Sequence, residues 1–122
     1  MKKILVVDDE PHICNLIKLT LKNNYEIREA NSGNEALVIL RDFKADLVLL
    51  DIMMPELNGY DTLTEIRNDE KLKDLPVIFL TAKSQTVDKI KAMELGADEY
   101  ITKPFDVIEL EDKINLFLLS KK

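Results

Sequence analysis

The sequence is poor in the features that cross-link a chain or anchor it in a membrane. Cys14 is the single cysteine among 122 residues, which excludes an internal disulfide and suits the reducing cytosol. No hydrophobic run approaches the roughly 20 residues of a transmembrane helix. Acidic residues 8–10 also interrupt the first apolar stretch too early for a signal peptide. We therefore expect a cytoplasmic protein without membrane contacts.

Basic residues are in the minority, and linkers, repeats and low-complexity segments are lacking. Lys and Arg together number 17 against 23 Asp and Glu, which gives a formal net charge of −6. This balance argues against direct nucleic-acid binding by this domain and favours proteins and metal cations as partners. The length suits one continuous hydrophobic core, so we expect residues 1–122 to form a single domain.

Short hydrophobic runs alternate with helical patterns along the chain, which predicts five β-α units. Strands are predicted at residues 3–7, 25–29, 46–50, 77–80 and 100–102. The helices that follow them are predicted to end near Asn23, Phe43, Asn68, Leu95 and Lys122. The second strand alternates apolar and polar residues, as an edge strand does. With right-handed crossovers, this predicts an α/β fold of flavodoxin-like type, a (βα)₅ doubly wound parallel sheet with strand order 2-1-3-4-5.

Four of the predicted strands end at a residue suited to phosphoryl chemistry. Asp8 and Asp9 follow the first strand, Asp51 the third, Thr81 the fourth and Lys103 the fifth. Ligands of such sheets bind outside the carboxyl ends of the strands. We therefore expect three carboxylates, a hydroxyl and an ammonium to meet at one edge of the sheet.

Each of these residues also has an ordinary structural explanation. Asp8 or Asp9 could cap the first helix, Thr81 could cap the loop before the fourth helix, and Lys103 could be a solvated surface lysine. The combination is harder to explain in this way, because chance rarely brings all of these groups to one sheet edge.

The segments around these residues resemble the receiver domain of two-component response regulators. The matching segments are Asp8-Asp9-Glu10-Pro11, residues 51–59, Thr81-Ala82 and Lys103-Pro104-Phe105. They occur in order and with the spacing of that family over the whole chain. Within the family, the sequence most resembles receivers of winged-helix transcriptional regulators.

The resemblance implies that Asp51 accepts a phosphoryl group from the phosphohistidine of a histidine kinase. It further implies a Mg²⁺ ion bound by Asp9, Asp51 and the backbone carbonyl of Met53, with Asp8 acting mainly through water. Such a domain would assist its own phosphorylation and dephosphorylation, but it would not be a conventional enzyme.

The resemblance also assigns roles in signalling. Lys103 would supply a second positive charge, and its bond to Pro104 would be cis. The hydroxyl of Thr81 would bind the phosphoryl group, and Tyr100 would be the aromatic residue that turns inward on activation. These changes would alter the surface formed by the fourth helix, fifth strand and fifth helix.

That surface carries charged positions resembling the pairs through which such receivers form two-fold dimers. These positions are Lys89, Glu99, Glu109 and Lys113. A homodimer through this face is our expectation. The alternative is an ordinary solvated face, whose exposed pairs contribute only about 0–1 kcal/mol each.

Two other classes of phosphate chemistry fit the sequence less well. A flavodoxin-like flavin or nucleotide carrier needs a glycine- or hydroxyl-rich phosphate loop after the first strand. Here Asp8, Asp9 and Glu10 occupy that position and would repel a phosphate unless a metal intervened. A phosphohydrolase of the haloacid dehalogenase type has a second aspartate two residues after its nucleophile, whereas Met53 stands at that distance from Asp51.

Overall fold

The structure is a computed structural model that describes residues 1–82 and 86–120, without the side chains of residues 82, 86–89 and 120. The strands are β1 (Lys2–Val7), β2 (Tyr25–Ala30), β3 (Leu47–Asp51), β4 (Val77–Ala82) and β5 (Glu99–Lys103). The helices are α1 (Pro11–Leu21), α2 (Gly33–Ile39), α3 (Gly59–Asn68), α4 (Thr86–Glu94) and α5 (Val107–Ser120). Each described helix is too short or too polar to cross a membrane.

The strands form one parallel sheet in the order β2-β1-β3-β4-β5, which confirms the predicted topology. Strand β2 lies at the edge, as its alternating pattern predicted. The central strands are buried on both faces, since residues 4–7, 47–50 and 77–80 expose no surface. Such continuous burial is typical of a parallel sheet that has helices on both sides.

Successive strand residues point to opposite faces, and this alternation divides the core into two layers. On one face, Leu5, Val48 and Phe79 pack with buried residues of α2, α3 and α4. On the other face, Ile4 and Leu49 pack with buried residues of α1 and α5. Full burial of such a side chain contributes about 1.5–3 kcal/mol, so the two layers hold the strand ends in fixed positions.

Helix α2 is shorter than the sequence pattern predicted, because it ends at Ile39 and not near Phe43. Its start agrees with the pattern, since the Ser32 hydroxyl accepts a hydrogen bond from the Glu35 backbone N–H at 3.0 Å. After Ile39 the chain forms tighter turns, in which the N–H of Arg41 bonds to the carbonyl of Val38. These turns bring Phe43 into the core, so tertiary packing overrides the helical pattern there.

Arg67 fixes the edge of the sheet that lies opposite the strand carboxyl ends. Its guanidinium donates hydrogen bonds to the carbonyls of Gly96 at 2.8 Å and Leu75 at 2.7 Å. It also pairs with the Asp98 carboxylate at 3.2 Å, which in turn accepts the backbone N–H of Val77. The end of α3, the start of β4 and the turn before β5 are therefore joined through one side chain.

Candidate functional site

Three aspartates meet at the carboxyl ends of β1 and β3. Asp8 and Asp9 directly follow β1, and Asp51 is the last residue of β3, one residue beyond the end predicted for this strand. The two strands are neighbours in the sheet. One carboxylate oxygen from each aspartate lies within 4.8 Å of the other two. Asp8 and Asp51 are buried, whereas Asp9 is exposed.

Lys103 reaches these carboxylates from the end of β5. Its Nζ atom lies 2.7 Å from Asp8 Oδ2 and 3.3 Å from Asp51 Oδ1. It also lies 3.6 Å from Glu10 Oε1, a contact that our sequence reasoning missed. The signal for Glu10 was its position as the third acid after β1. Lys103 is thus no solvated surface residue, because its side chain is only 18% exposed.

Burial and like charges shift the ionisation of this cluster. Burial and the negative charge of Asp8 raise the pKa of Asp51 to about 7, although Lys103 opposes the shift. The pKa of Lys103 is raised above its ordinary value. Burial alone would lower this pKa, but the hydrogen bond to Asp8 and the charge of Asp51 outweigh the effect of burial. The cluster therefore favours a cationic lysine and disfavours a second negative charge beside Asp8.

Asp8 is held on both carboxylate oxygens. Oδ2 accepts from Lys103, and Oδ1 accepts from the backbone N–H of Glu10 at 3.0 Å. The backbone N–H of Asp8 donates to the carbonyl of Ala30 on β2. The Asp8 carboxylate is therefore held in place behind the more accessible Asp9.

Gly59 determines how closely α3 approaches Asp51. Its backbone N–H donates to the carbonyl of Ile52 at 2.8 Å. A Cβ atom at this position would overlap the backbone carbonyl of Asp51 and lie 2.7 Å from the Cα of Ile52. Backbone atoms cannot move aside as a flexible side chain can. A glycine is therefore required where α3 begins beside the acidic cluster.

The remaining predicted site residues lie on β4, on β5 and after β3, and they differ in burial. Thr81 is buried in β4, one residue beyond Leu80, which is paired with Asp51. Met53 follows β3 and is 62% exposed. Tyr100 in β5 is half-buried and packs against the core layer that contains Phe79. The peptide bond between Lys103 and Pro104 is cis.

The predicted dimer residues lie on α4, β5 and α5. Glu109 and Lys113 are exposed, and Glu99 is half-buried. Lys113 Nζ contacts Tyr100 in its own chain, 3.2 Å from the carbonyl oxygen and 5.8 Å from the ring centroid. Lys89 belongs to α4, but its side chain lies outside the described residues.

A family model for the response regulator receiver domain matches residues 4–115. The chain therefore belongs to this family, and the resemblance inferred from its motifs is confirmed. It is a phosphorylation-dependent signalling switch of a two-component system.

Similar proteins include transcriptional regulators. The chain is 37% identical over 119 residues to the DNA-binding dual master transcriptional regulator RpaA of Synechocystis, covering 97% of this chain and 49% of the relative. It is 45% identical over 118 residues to the probable transcriptional regulator ycf27 of Cyanophora paradoxa, and this match covers 96% of this chain and 48% of the relative. The chain thus spans about half the length of these curated relatives. The solved structure of the Francisella response regulator 1452 receiver domain is 34% identical to this chain, with a TM-score of 0.89. The match covers 100% of both chains.

The raised pKa of Asp51 predicts a specific pH dependence of stability in metal-free protein. The pKa of this carboxyl has its ordinary value of 3.8 in the unfolded chain and is about 7 in the folded chain. Its contribution is therefore present below about pH 4 and is lost as the pH rises through about 7. Asp51→Asn stays neutral throughout. Between pH 5 and pH 8 the variant should gain about 1–2 kcal/mol of unfolding free energy relative to wild type, after allowance for solvent screening.

Urea unfolding in EDTA at both pH values measures this gain. Asp112→Asn, which removes an exposed carboxylate from α5, is the matched control. The prediction would be contradicted if the unfolding free energies of Asp51→Asn and wild type differed by the same amount at pH 5 and at pH 8.

Proposed function

We propose that Asp51 is the residue of this receiver domain that accepts the phosphoryl group, from the phosphohistidine of a histidine kinase. The observation that carries the proposal is the buried Asp51 carboxylate beside Asp8, Asp9 and Lys103. A carboxylate oxygen attacks phosphorus, the phosphorus–nitrogen bond breaks, and the histidine imidazole leaves with the electron pair. The protein contributes mainly by positioning the groups and by neutralising charge.

The oxygen-rich cluster fits a hard divalent cation, and we assign Mg²⁺ to it. Asp9, Asp51 and the backbone carbonyl of Met53 would hold the ion. Asp8 would act through water, because Lys103 and the Glu10 backbone N–H already occupy its two oxygens. When bound, Mg²⁺ would neutralise charge on the phosphoryl oxygens. Lys103 orients the cluster and contributes a positive charge of its own.

Phosphorylation would be transmitted through Thr81 and Tyr100. A phosphoryl group adds about 1.5 to 2 negative charges near neutral pH, and the Thr81 hydroxyl would donate a hydrogen bond to it. Movement of the chain at Thr81 would then make room for the half-buried ring of Tyr100 to turn inward. Strand β4 connects the two residues, since Phe79 of β4 is paired with Tyr100.

The output would be a change in the surface formed by α4, β5 and α5. We propose that residues 1–122 are one cytoplasmic receiver domain that assists its own phosphorylation and dephosphorylation and has no other enzymatic activity.

Its partners would be a histidine kinase and a second copy of the chain, with no direct nucleic-acid or membrane binding. The exposed apolar residues Ile90, Met93 and Leu116 could supply contact area in such a dimer.

Treatment with acetyl phosphate and Mg²⁺ should add one phosphoryl group, at Asp51. Asp51→Asn should abolish this addition with the fold retained, because the amide has nearly the same shape and is not a competent acceptor. Intact-mass measurement on both proteins reads the outcome directly. Asp112→Asn should be labelled like wild type. Equal labelling of Asp51→Asn and wild type would refute the assignment.

The dimer predicts a response to charge reversal on the α4–β5–α5 surface. Beryllofluoride mimics the phosphoryl group on a carboxylate and should cause the protein to dimerise. Lys89→Glu should weaken this association about ten-fold or more, since each reversal acts twice across a two-fold axis. The double variant Lys89→Glu, Glu109→Lys should recover it.

Sedimentation velocity over a concentration series measures these changes. Lys18→Glu reverses an exposed charge on α1, outside this surface, and should leave association unchanged. An activated protein that remains monomeric at high micromolar concentration would rule out the dimer.

A further inference from the structure

Glu10 is a carboxylate that contacts Lys103 from the solvent side of the acidic cluster. Its Oε1 atom lies 3.6 Å from Lys103 Nζ, and its side chain is 51% exposed. The Asp8 side chain on the inner side of Lys103 has no exposed surface. Glu10 therefore lies at the mouth of the site, on the solvent side of Lys103.

Glu10 has two further contacts in this position. Its backbone N–H donates to Asp8 Oδ1 at 3.0 Å, which fixes the residue beside the cluster. Its second carboxylate oxygen, Oε2, lies 3.7 Å from Nε2 of His12, an exposed residue of α1. The Glu10 side chain thus lies between His12 outside and Lys103 inside.

Glu10 differs from the three aspartates in what it contacts. Among the described residues, the carboxylates close enough together to share a metal ion are those of Asp8, Asp9 and Asp51. Glu10 is not in that group, and its contact within the site is with the ammonium of Lys103. Lys103 is also the cation that an incoming phosphoryl group would need, so Glu10 and the donor compete for it.

We propose that Glu10 restrains Lys103 in the unphosphorylated protein and thereby slows the reaction of Asp51 with small dianionic phosphoryl donors. This inference rests on the proposed role of Asp51. Two effects act in the same direction. The contact with Lys103 has to be released before the ammonium can turn to the donor, and the negative charge at the mouth repels an approaching anion. Glu10 is a positioning residue in this scheme, because it acts through Lys103.

Two donors with different charges separate this effect from a general change in reactivity. With acetyl phosphate, a carboxylate oxygen of Asp51 bonds to phosphorus, the bond from phosphorus to the acetyl oxygen breaks, and acetate leaves with the electron pair. With phosphoramidate, the phosphorus–nitrogen bond breaks and ammonia leaves. Phosphoramidate carries less net negative charge near neutral pH. Glu10 should therefore hinder acetyl phosphate more strongly.

The test measures the rate of Asp51 labelling in wild type and Glu10→Gln, by intact mass at saturating Mg²⁺. At low ionic strength, Glu10→Gln should be labelled about two- to five-fold faster by acetyl phosphate, the range expected for loss of a partly exposed charge interaction. The increase with phosphoramidate should be smaller. Both increases should shrink near 1 M salt, where the screening length is only about 3 Å. Glu10→Ala should change the rates in the same direction and serves as a second variant.

Glu70→Gln is the matched control, because it removes the same charge from a side chain that is 90% exposed and paired with Lys73 instead. It should be labelled at the wild-type rate. Equal rates for Glu10→Gln and wild type with both donors would overturn the inference and leave Asp51 as the acceptor. A rate increase that is independent of donor and salt would also overturn it, since that result would indicate a structural effect. Failure of wild type to be labelled would instead remove the proposed function.

Discussion

The contact of Lys103 with Asp8 and Asp51 is the interaction on which the site depends. Withdrawing carboxylates from water is costly, and a buried charge needs a partner. Lys103 supplies that partner across the strand ends, 2.7 Å from one carboxylate and 3.3 Å from the other. It offsets one negative charge of a cluster that contains three carboxylates, so the cluster keeps a preference for a further cation. The same imbalance that destabilises the metal-free site makes it suited to bind a metal ion.

The two ends of the sheet serve different purposes. At the end away from the site, Arg67 joins α3 to the turn before β5 through backbone carbonyls and Asp98. At the site end, charged groups face one another, and Gly59 sets the distance between α3 and the backbone of Asp51. The hydrogen bonds of Arg67 join the far end, so the sheet can keep its register when the charge at the site changes. This arrangement suits a domain whose output is a change in conformation.

Much of this architecture could be predicted from the sequence. The alternating pattern of β2 indicated an edge strand, and the buried runs of β1, β3 and β4 indicated a parallel sheet whose ends bring distant residues together. The contact of Glu10 with Lys103 and the approach of Gly59 to Asp51 could not be predicted in this way. They depend on side-chain reach and on backbone packing between elements, neither of which leaves a periodic pattern. The early end of α2 has the same cause, because burial of Phe43 outweighs local helical preference.

The dependence of the site on Lys103 is tested most directly by the stability of Lys103→Met with and without Mg²⁺. In EDTA near pH 7.5, loss of the buried partner should cost about 2–4 kcal/mol of unfolding free energy. Millimolar Mg²⁺ should recover most of that loss and should stabilise the variant more than it stabilises wild type. Lys71→Met, at an exposed position, provides the control. A Lys103→Met protein as stable as wild type in EDTA, or one that gains no more from Mg²⁺ than wild type does, would show that the site does not depend on Lys103.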